Sequence, residues 1–156
     1  MSIKRVSYSA LKSYIESAML ALKIPKEHAE TVAEYMASAD LQGSDGHGVI
    51  RLPQYSRRIL AGGVNTKPNI TIESERAATA LVNGDNAMGH VVMKYATELA
   101  IKKAKSSGMA WVGSRLSNHA GPASLYSRMA LEHDMVGLYF AVGNANSEIQ
   151  PHHIML

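Results

Sequence analysis

The strongest constraint on this chain is an alternation of apolar and amphipathic runs that begins at Ala78. Ala78–Val82, Met109–Gly113 and Val136–Val142 read as strands; Met109–Gly113 is expected to be buried, and Val136–Val142 is almost wholly apolar. Between them, Val91–Ser107 and Pro122–His133 read as helices. In the longer one, Val92, Tyr95, Ala96, Leu99 and Ala104 fall on the side that faces a core. Strands that are apolar on both faces and alternate with helices are covered by those helices. The expected fold class is therefore α/β (or α+β), with N-terminal helices followed by a sheet covered by helices, and not a helical bundle. Ile70–Glu73 is expected as a further short strand ahead of Ala78–Val82, with Ser74–Ala77 turning between the two and Asn83–Asn86 forming another turn.

The N-terminal part reads as helical. From Tyr8 to Leu22, Leu11, Ile15, Ala18, Met19 and Leu22 recur at three and four residues, and Ser7 is a candidate N-cap. Pro25 marks the start of a second helix over Lys26–Gln42, whose apolar face is Ala29, Val32, Ala33, Met36 and Ala37 and which ends at Gly43. A polar loop, Ser44–Gly48, leads into a third helix from about Val49 to Ala61. Pro53 must sit in its first turn, because a proline deeper in a helix costs about 3 kcal/mol. Three segments follow: 1–62, helical with a candidate site motif; 63–146, a partial α/β domain; and 147–156, a tail without periodicity.

With 156 residues the chain is long enough for one domain with its own core. It has no cysteine, which removes disulfides, thiolate metal sites and a cysteine nucleophile. Net charge is +3 with the basic residues scattered; Lys102, Lys103 and Lys105 form the one close group, on what reads as a helix surface. Nucleic-acid binding would want a basic stripe with aromatic platforms, and the chain has one Trp and one Phe. Neither a signal peptide nor a stretch of membrane-spanning length is evident, so no nucleic acid and no membrane are expected as partners, and the cytoplasm is the expected location.

Two constellations could carry chemistry. His47, Arg51 and Tyr55 are spaced by four and four, so the helix that follows Gly48 stacks Arg51 and Tyr55 on one face, with His47 just ahead of it. One surface then offers an imidazole for proton transfer, a guanidinium fork for a carboxylate and a phenol to orient a substrate oxygen. The plainer alternative makes His47 a cap, Arg51 a solvated charge and Tyr55 a core residue. Asp45 with His47 is too sparse a pair for a metal, and no metal is expected. The second constellation, Ser114–Pro122, leaves the carboxyl end of a strand and enters a helix. Ligands bind at that edge in open α/β sheets, and a helix start disfavours an imidazolium, which points to His119 as a neutral base. Alternatively Ser117 or Asn118 is only a cap and His119 a loop residue. His28, His90, His133, His152 and His153 read as structural or solvated.

Several ordered motifs resemble the type 2 malate/L-lactate dehydrogenase family, which also includes ureidoglycolate, sulfolactate and diketogulonate oxidoreductases. They are Ala39-Asp40-Leu41-Gln42-Gly43, Asp45-Gly46-His47-Gly48-Val49 with Arg51-Leu52 and Tyr55, Gly62-Gly63-Val64-Asn65, Asn83–Gly89, and Ser117-Asn118-His119-Ala120-Gly121. The resemblance implies hydride transfer between NAD or NADP and a 2-hydroxy acid such as malate or lactate. His119 and His47 would be the acid/base groups, Arg51 would hold the substrate carboxylate and Tyr55 would line the pocket. It also implies a homodimer, and weak cofactor contacts at Gly143 and Asn144. Gly46 stands where the family usually has Ser. Family members run to roughly twice this length, and the departure after Pro151 reads as a frameshift, an early stop or a split gene. The corresponding expectation is a truncated chain, incomplete relative to the family fold. The rival is a non-catalytic binding or interaction module that pairs with a separate C-terminal polypeptide.

Overall fold

The computed structural model describes residues 5–142. Helix α1 spans Tyr8–Ala21, and the side chain of Ser7 caps it by accepting the Ala10 N–H. Helix α2 spans Lys26–Leu41 and ends at Gly43, whose φ of +76° suits glycine. The two helices bury the expected faces against each other: Ile15 and Met19 from α1 meet Ala29, Val32, Ala33, Met36 and Ala37 from α2. Single 3₁₀ turns at Asp45–His47 and Val49–Arg51 lead into α3, Leu52–Leu60, with Pro53 in its first turn.

Strands β1 (Thr71–Glu75), β2 (Thr79–Ala87) and β3 (Trp111–Ser117) form one sheet in that order. β1 runs antiparallel to β2, and β2 runs parallel to β3. The parallel pair is joined by α4, Gly89–Ser107, which buries Val92 and Ala96 against Val82 and Ala87. The N-terminal helices and the start of α4 share one core, since Met88 and Val91 pack with Tyr55, Ile59 and Val64. No helix among the described residues is long and apolar enough to cross a membrane.

Five expectations are corrected. Val136–Val142 is not a strand: it pairs with no other segment among the described residues, and alternate side chains stand in solvent, with Val136 89% and Val142 92% exposed. Apolar composition makes a strand only where a neighbour supplies backbone partners. Met109–Gly113 is not buried either. Its strand, β3, lies at the sheet edge, with Trp111 60% exposed. Asn83–Asn86 does not turn the chain but continues β2, with Asp85 and Asn86 in left-handed conformation as an irregularity against β3. Asp85 repays that conformation by accepting the Asn65 side-chain amide and the Asn69 N–H. Lys103 is not on the surface: it is buried, donating to the Arg76 carbonyl and pairing with Glu75 at 2.7 Å. The helix expected over Pro122–His133 is broken into α5, Ser124–Ser127, and a 3₁₀ stretch, Arg128–His133.

Truncating Ile15 to alanine is expected to destabilise the chain by about 2–5 kcal/mol, because the side chain is fully enclosed between α1 and α2. Leu138→Ala, in the unpaired exposed segment, is expected to change stability by less than about 0.5 kcal/mol. Urea titrations of both variants check the pair.

Candidate functional site

The site is built where the α2–α3 connection meets the loop after β3. Asp40, near the end of α2, reaches forward so that its Oδ2 accepts the Val49 N–H at 2.7 Å. This folds the 3₁₀ turns against α2 and leaves no room for a side chain at residue 48: a Cβ on Gly48 would lie 1.9 Å from Asp40 Oδ1. Gly48 is required here by close approach. By contrast, a Cβ on Gly46 would meet nothing within 4 Å.

On this platform Arg51 donates through Nε to the Gly46 carbonyl at 2.6 Å and through Nη1 to Gln54 Oε1 at 2.8 Å. A guanidinium has five N–H donors, so the anchored fork keeps its Nη2 edge available to a ligand. Tyr55, one turn on, is buried to its hydroxyl, and burial pushes its pKa up to about 12.

The second wall comes from residues 117–121. β2 hands the chain to α4 at Gly89, and the backbone of Asn118 and His119 crosses directly over it; a Cβ on Gly89 would lie 2.0 Å from the Asn118 carbonyl oxygen. The Asn118 amide donates to the carbonyls of Asn86 and Ala87, and its Oδ1 accepts from Arg58 Nε at 2.6 Å. Asn118 therefore ties this loop both to β2 and to α3. The result is that His119 meets Tyr55: the phenolic oxygen and Nδ1 are 2.6 Å apart. His47 stacks on His119 at a centroid distance of 5.4 Å and an interplanar angle of 13°.

The structure thus brings together His47, Tyr55 and His119, with Arg51 close enough that its charge acts on both Tyr55 and His119. The His119 pKa is held below the usual histidine value, first by partial burial, then by His47 and Arg51. A neutral His119 was expected from a helix start; the helix that follows, Ser124–Ser127, is only four residues long. Gly143 and Asn144 lie outside the described residues. Among the described residues no group of three or more His, Cys, Asp or Glu side chains could hold a metal ion. The α4 start, the natural phosphate position after a parallel strand, is filled by the Asn118 and His119 backbone, so the described residues do not cradle a dinucleotide pyrophosphate there. A concavity of about 410 Å³ lined by Ser74, Glu75, Arg76, Thr79, Ala80 and Leu81 holds none of the histidines.

His90 was passed over in the sequence because it sits singly at a helix start. It is fully buried in the first turn of α4, edge-on to Tyr55 at 5.7 Å. Burial, reinforced by His119 and His47, lowers its pKa to about 3. Only the tertiary placement of Tyr35 and Tyr55 around it could have revealed this.

Comparison with known proteins settles the family. The match to malate/L-lactate dehydrogenase runs over residues 6–153. The chain belongs to that family. It is 41% identical over 137 residues to an L-sulfolactate dehydrogenase of Methanothermobacter thermautotrophicus, covering 88% of this chain and 40% of that one. It is 34% identical over 134 residues to a ureidoglycolate dehydrogenase (NAD(+)) of Escherichia coli, covering 86% of this chain and 38% of the relative. The solved structure of malate dehydrogenase from Pyrococcus horikoshii superposes with a TM-score of 0.81 at 42% identity, over 83% of this chain and 37% of that one. This family member therefore spans about 37–40% of the length of those relatives.

Two outcomes follow from the site's packing. Gly48→Ala is expected to destabilise the chain by about 1–3 kcal/mol through the clash with Asp40, and Asp40→Ala in the same chain to relieve part of that loss, as read by thermal melts. The largest single contribution to the pH dependence comes from His90, with His119 and His28, also lowered by burial, acting in the same direction. An unfolded histidine gains its proton below about pH 6.5, whereas the buried one resists until about pH 3, so stability is full above 6.5 and falls as the pH drops through that window. The slope from His90 is at most about 1.4 kcal/mol per pH unit. Denaturant titrations from pH 7 to pH 4 are expected to show this fall, and His90→Gln to flatten it.

Proposed function

We propose that this chain carries the substrate half of a 2-hydroxy-acid dehydrogenase site. The observation that carries the reading is the contact of Tyr55 with His119 Nδ1 at 2.6 Å, beside His47 and an anchored Arg51. Arg51 holds the carboxylate of a 2-hydroxy or 2-oxo acid through its Nη2 edge. His119 exchanges a proton with the C2 oxygen at Nε2, and the Tyr55 hydroxyl holds Nδ1 while that happens. His47, stacked on His119, is the second candidate for the proton. Together these groups bind an α-functionalised acid and manage one proton.

Overall, a 2-hydroxy acid loses a hydride from C2 and a proton from its hydroxyl to give the 2-oxo acid. The hydride acceptor in this reading is a nicotinamide nucleotide, NAD or NADP, supported by family membership. The reading extends to a cytoplasmic protein that works as a homodimer, with the exposed apolar residues Trp111, Leu138 and Phe140 as surface for association. The same surface favours a second reading, in which the chain is a non-catalytic module that pairs with another polypeptide.

The deciding experiment titrates the full chain with NADH and NADPH to millimolar concentration and assays reduction of malate's and lactate's 2-oxo partners. Turnover that disappears in His119→Gln by a factor of about 10²–10⁴ supports the first reading. Cofactor-free binding of those acids, weakened about 10- to 100-fold in Arg51→Gln, with no turnover, supports the second. Absence of both from a folded sample removes the assignment of Arg51. Where turnover occurs, the lowered His119 pKa governs the pH profile of kcat/KM, which reports the free protein: oxidation, which needs the neutral ring, rises with pH through a midpoint below 6.5, and reduction, which needs the cation, falls through it. Gly46→Ser is expected to fold as the parent does, since its Cβ enters open space.

A further inference from the structure

His119 lies in a loop whose backbone is held on both sides of it. Ahead of it, the Asn118 amide ties the chain to the carbonyls of Asn86 and Ala87. Behind it, the carbonyl of Ala120 receives no backbone N–H among the described residues, and its donor is the hydroxyl of Tyr126, six positions on in α5. Tyr126 is 1% exposed, so that hydroxyl has no solvent to turn to. A peptide is planar, so a donor fixed on the Ala120 oxygen also fixes the plane through which the chain leaves His119.

The ring of Tyr126 is itself gripped between two others. Tyr35 of α2 meets it edge-on at 5.5 Å and 82°, and Tyr139 stacks on it at 5.3 Å and 21°. Tyr139 belongs to the extended segment that has no strand partner among the described residues. That segment is two-sided: Met135, Gly137 and Tyr139 are half-buried, whereas Val136, Leu138 and Phe140 are exposed. Its half-buried side rests on α5, because a Cβ on Gly137 would lie 2.2 Å from the Ser127 carbonyl oxygen. The close approach at Gly137 is what lays Tyr139 on Tyr126.

We propose that Tyr126, backed by Tyr139, is a positioning residue for His119: its hydroxyl holds the Ala120 peptide so that the imidazole stays seated against Tyr55 and His47. Tyr126 touches no substrate in this scheme. It acts through the backbone and leaves Nε2 of His119 open to the substrate oxygen. Arg51 stands outside this linkage, since its anchors lie within residues 46–54. The inference rests on the reading of His119 as the proton-exchanging group. Partial burial, His47 and Arg51 each hold the His119 pKa down, so a ring that leaves its seat loses part of all three and its pKa moves up toward the usual histidine value.

The test follows the Cε1–H resonance of His119 in the full chain by 1H–13C NMR from pH 8 to pH 5, assigned by His119→Gln, with His28 on α2 as internal reference. Tyr126→Phe keeps the ring and removes the hydroxyl; it is expected to raise the His119 pKa and leave that of His28 as in the parent. Tyr139→Ala, which removes the stacked ring, is expected to act in the same direction, and Tyr139→Phe, which keeps it, to titrate as the parent does. Thermal melts of the same samples report packing: a Tyr126 that only stabilises the core around α5 lowers the melt and leaves the His119 titration where it was. An unmoved His119 titration in folded Tyr126→Phe or Tyr139→Ala overturns the proposal, as does a His28 titration that moves together with it. Should Tyr126→Phe not fold, the two Tyr139 variants decide by the same criterion. The readout needs neither cofactor nor substrate, so an unmoved titration leaves the dehydrogenase reading intact, and absence of turnover leaves the seating of His119 by Tyr126 intact.

Discussion

The arrangement depends on one close backbone approach: the carbonyls of Asn118 and His119 lie over Gly89, where any side chain would intrude to 2.0 Å. That contact holds the end of β3 against the start of α4. It brings Asn118 within reach of Asn86 and Ala87, delivers His119 to Tyr55, and places Gly121 on the ring of His90. Arg58, one turn after Tyr55, closes the arrangement from α3 by donating to Asn118. Each wall of the site is therefore braced against the other at two points, a side-chain contact between Tyr55 and His119 and a polar clip between Arg58 and Asn118.

The electrostatics are consistent with the use proposed. Burial, His47 and Arg51 all act on His119 in the same direction, against the imidazolium. The ring is neutral at physiological pH while the fork beside it remains charged. A carboxylate arriving at Arg51 would oppose this bias, so binding of an acid would itself raise the basicity of the neighbouring ring.

The helical part was legible from residue order alone. Apolar residues at three- and four-residue spacing, a serine cap and a terminating glycine are local signals, and α1 and α2 follow them within a residue or two. The sheet was less legible, because a strand is defined by its neighbours. Val136–Val142 had the composition without a partner among the described residues, and Asn83–Asn86 had turn residues but was held in β2 by Asn65, Asn69 and Asn118 from elsewhere in the chain. Lys103 was misread for the same reason, its carbonyl and carboxylate partners lying 27 and 28 positions away. For the site, the spacing of His47, Arg51 and Tyr55 gave a face, and the loop position gave His119. Neither gave the contact between them, and nothing local marked His90 as the buried ring packed against Tyr55.

Tyr55 and His119 are 64 positions apart, with the whole β2–α4–β3 crossover between them. The fork at Arg51 is assembled from residues 46–54, whereas the imidazole at 119 arrives only after the long loop closes. Closing such a loop carries an entropic cost that local helices do not face. On the roles proposed above, recognition of an anion and management of a proton would be acquired at different moments in the life of the chain. A partly folded form would own the first without the second, so a nascent or damaged molecule could capture an acid without being able to transform it.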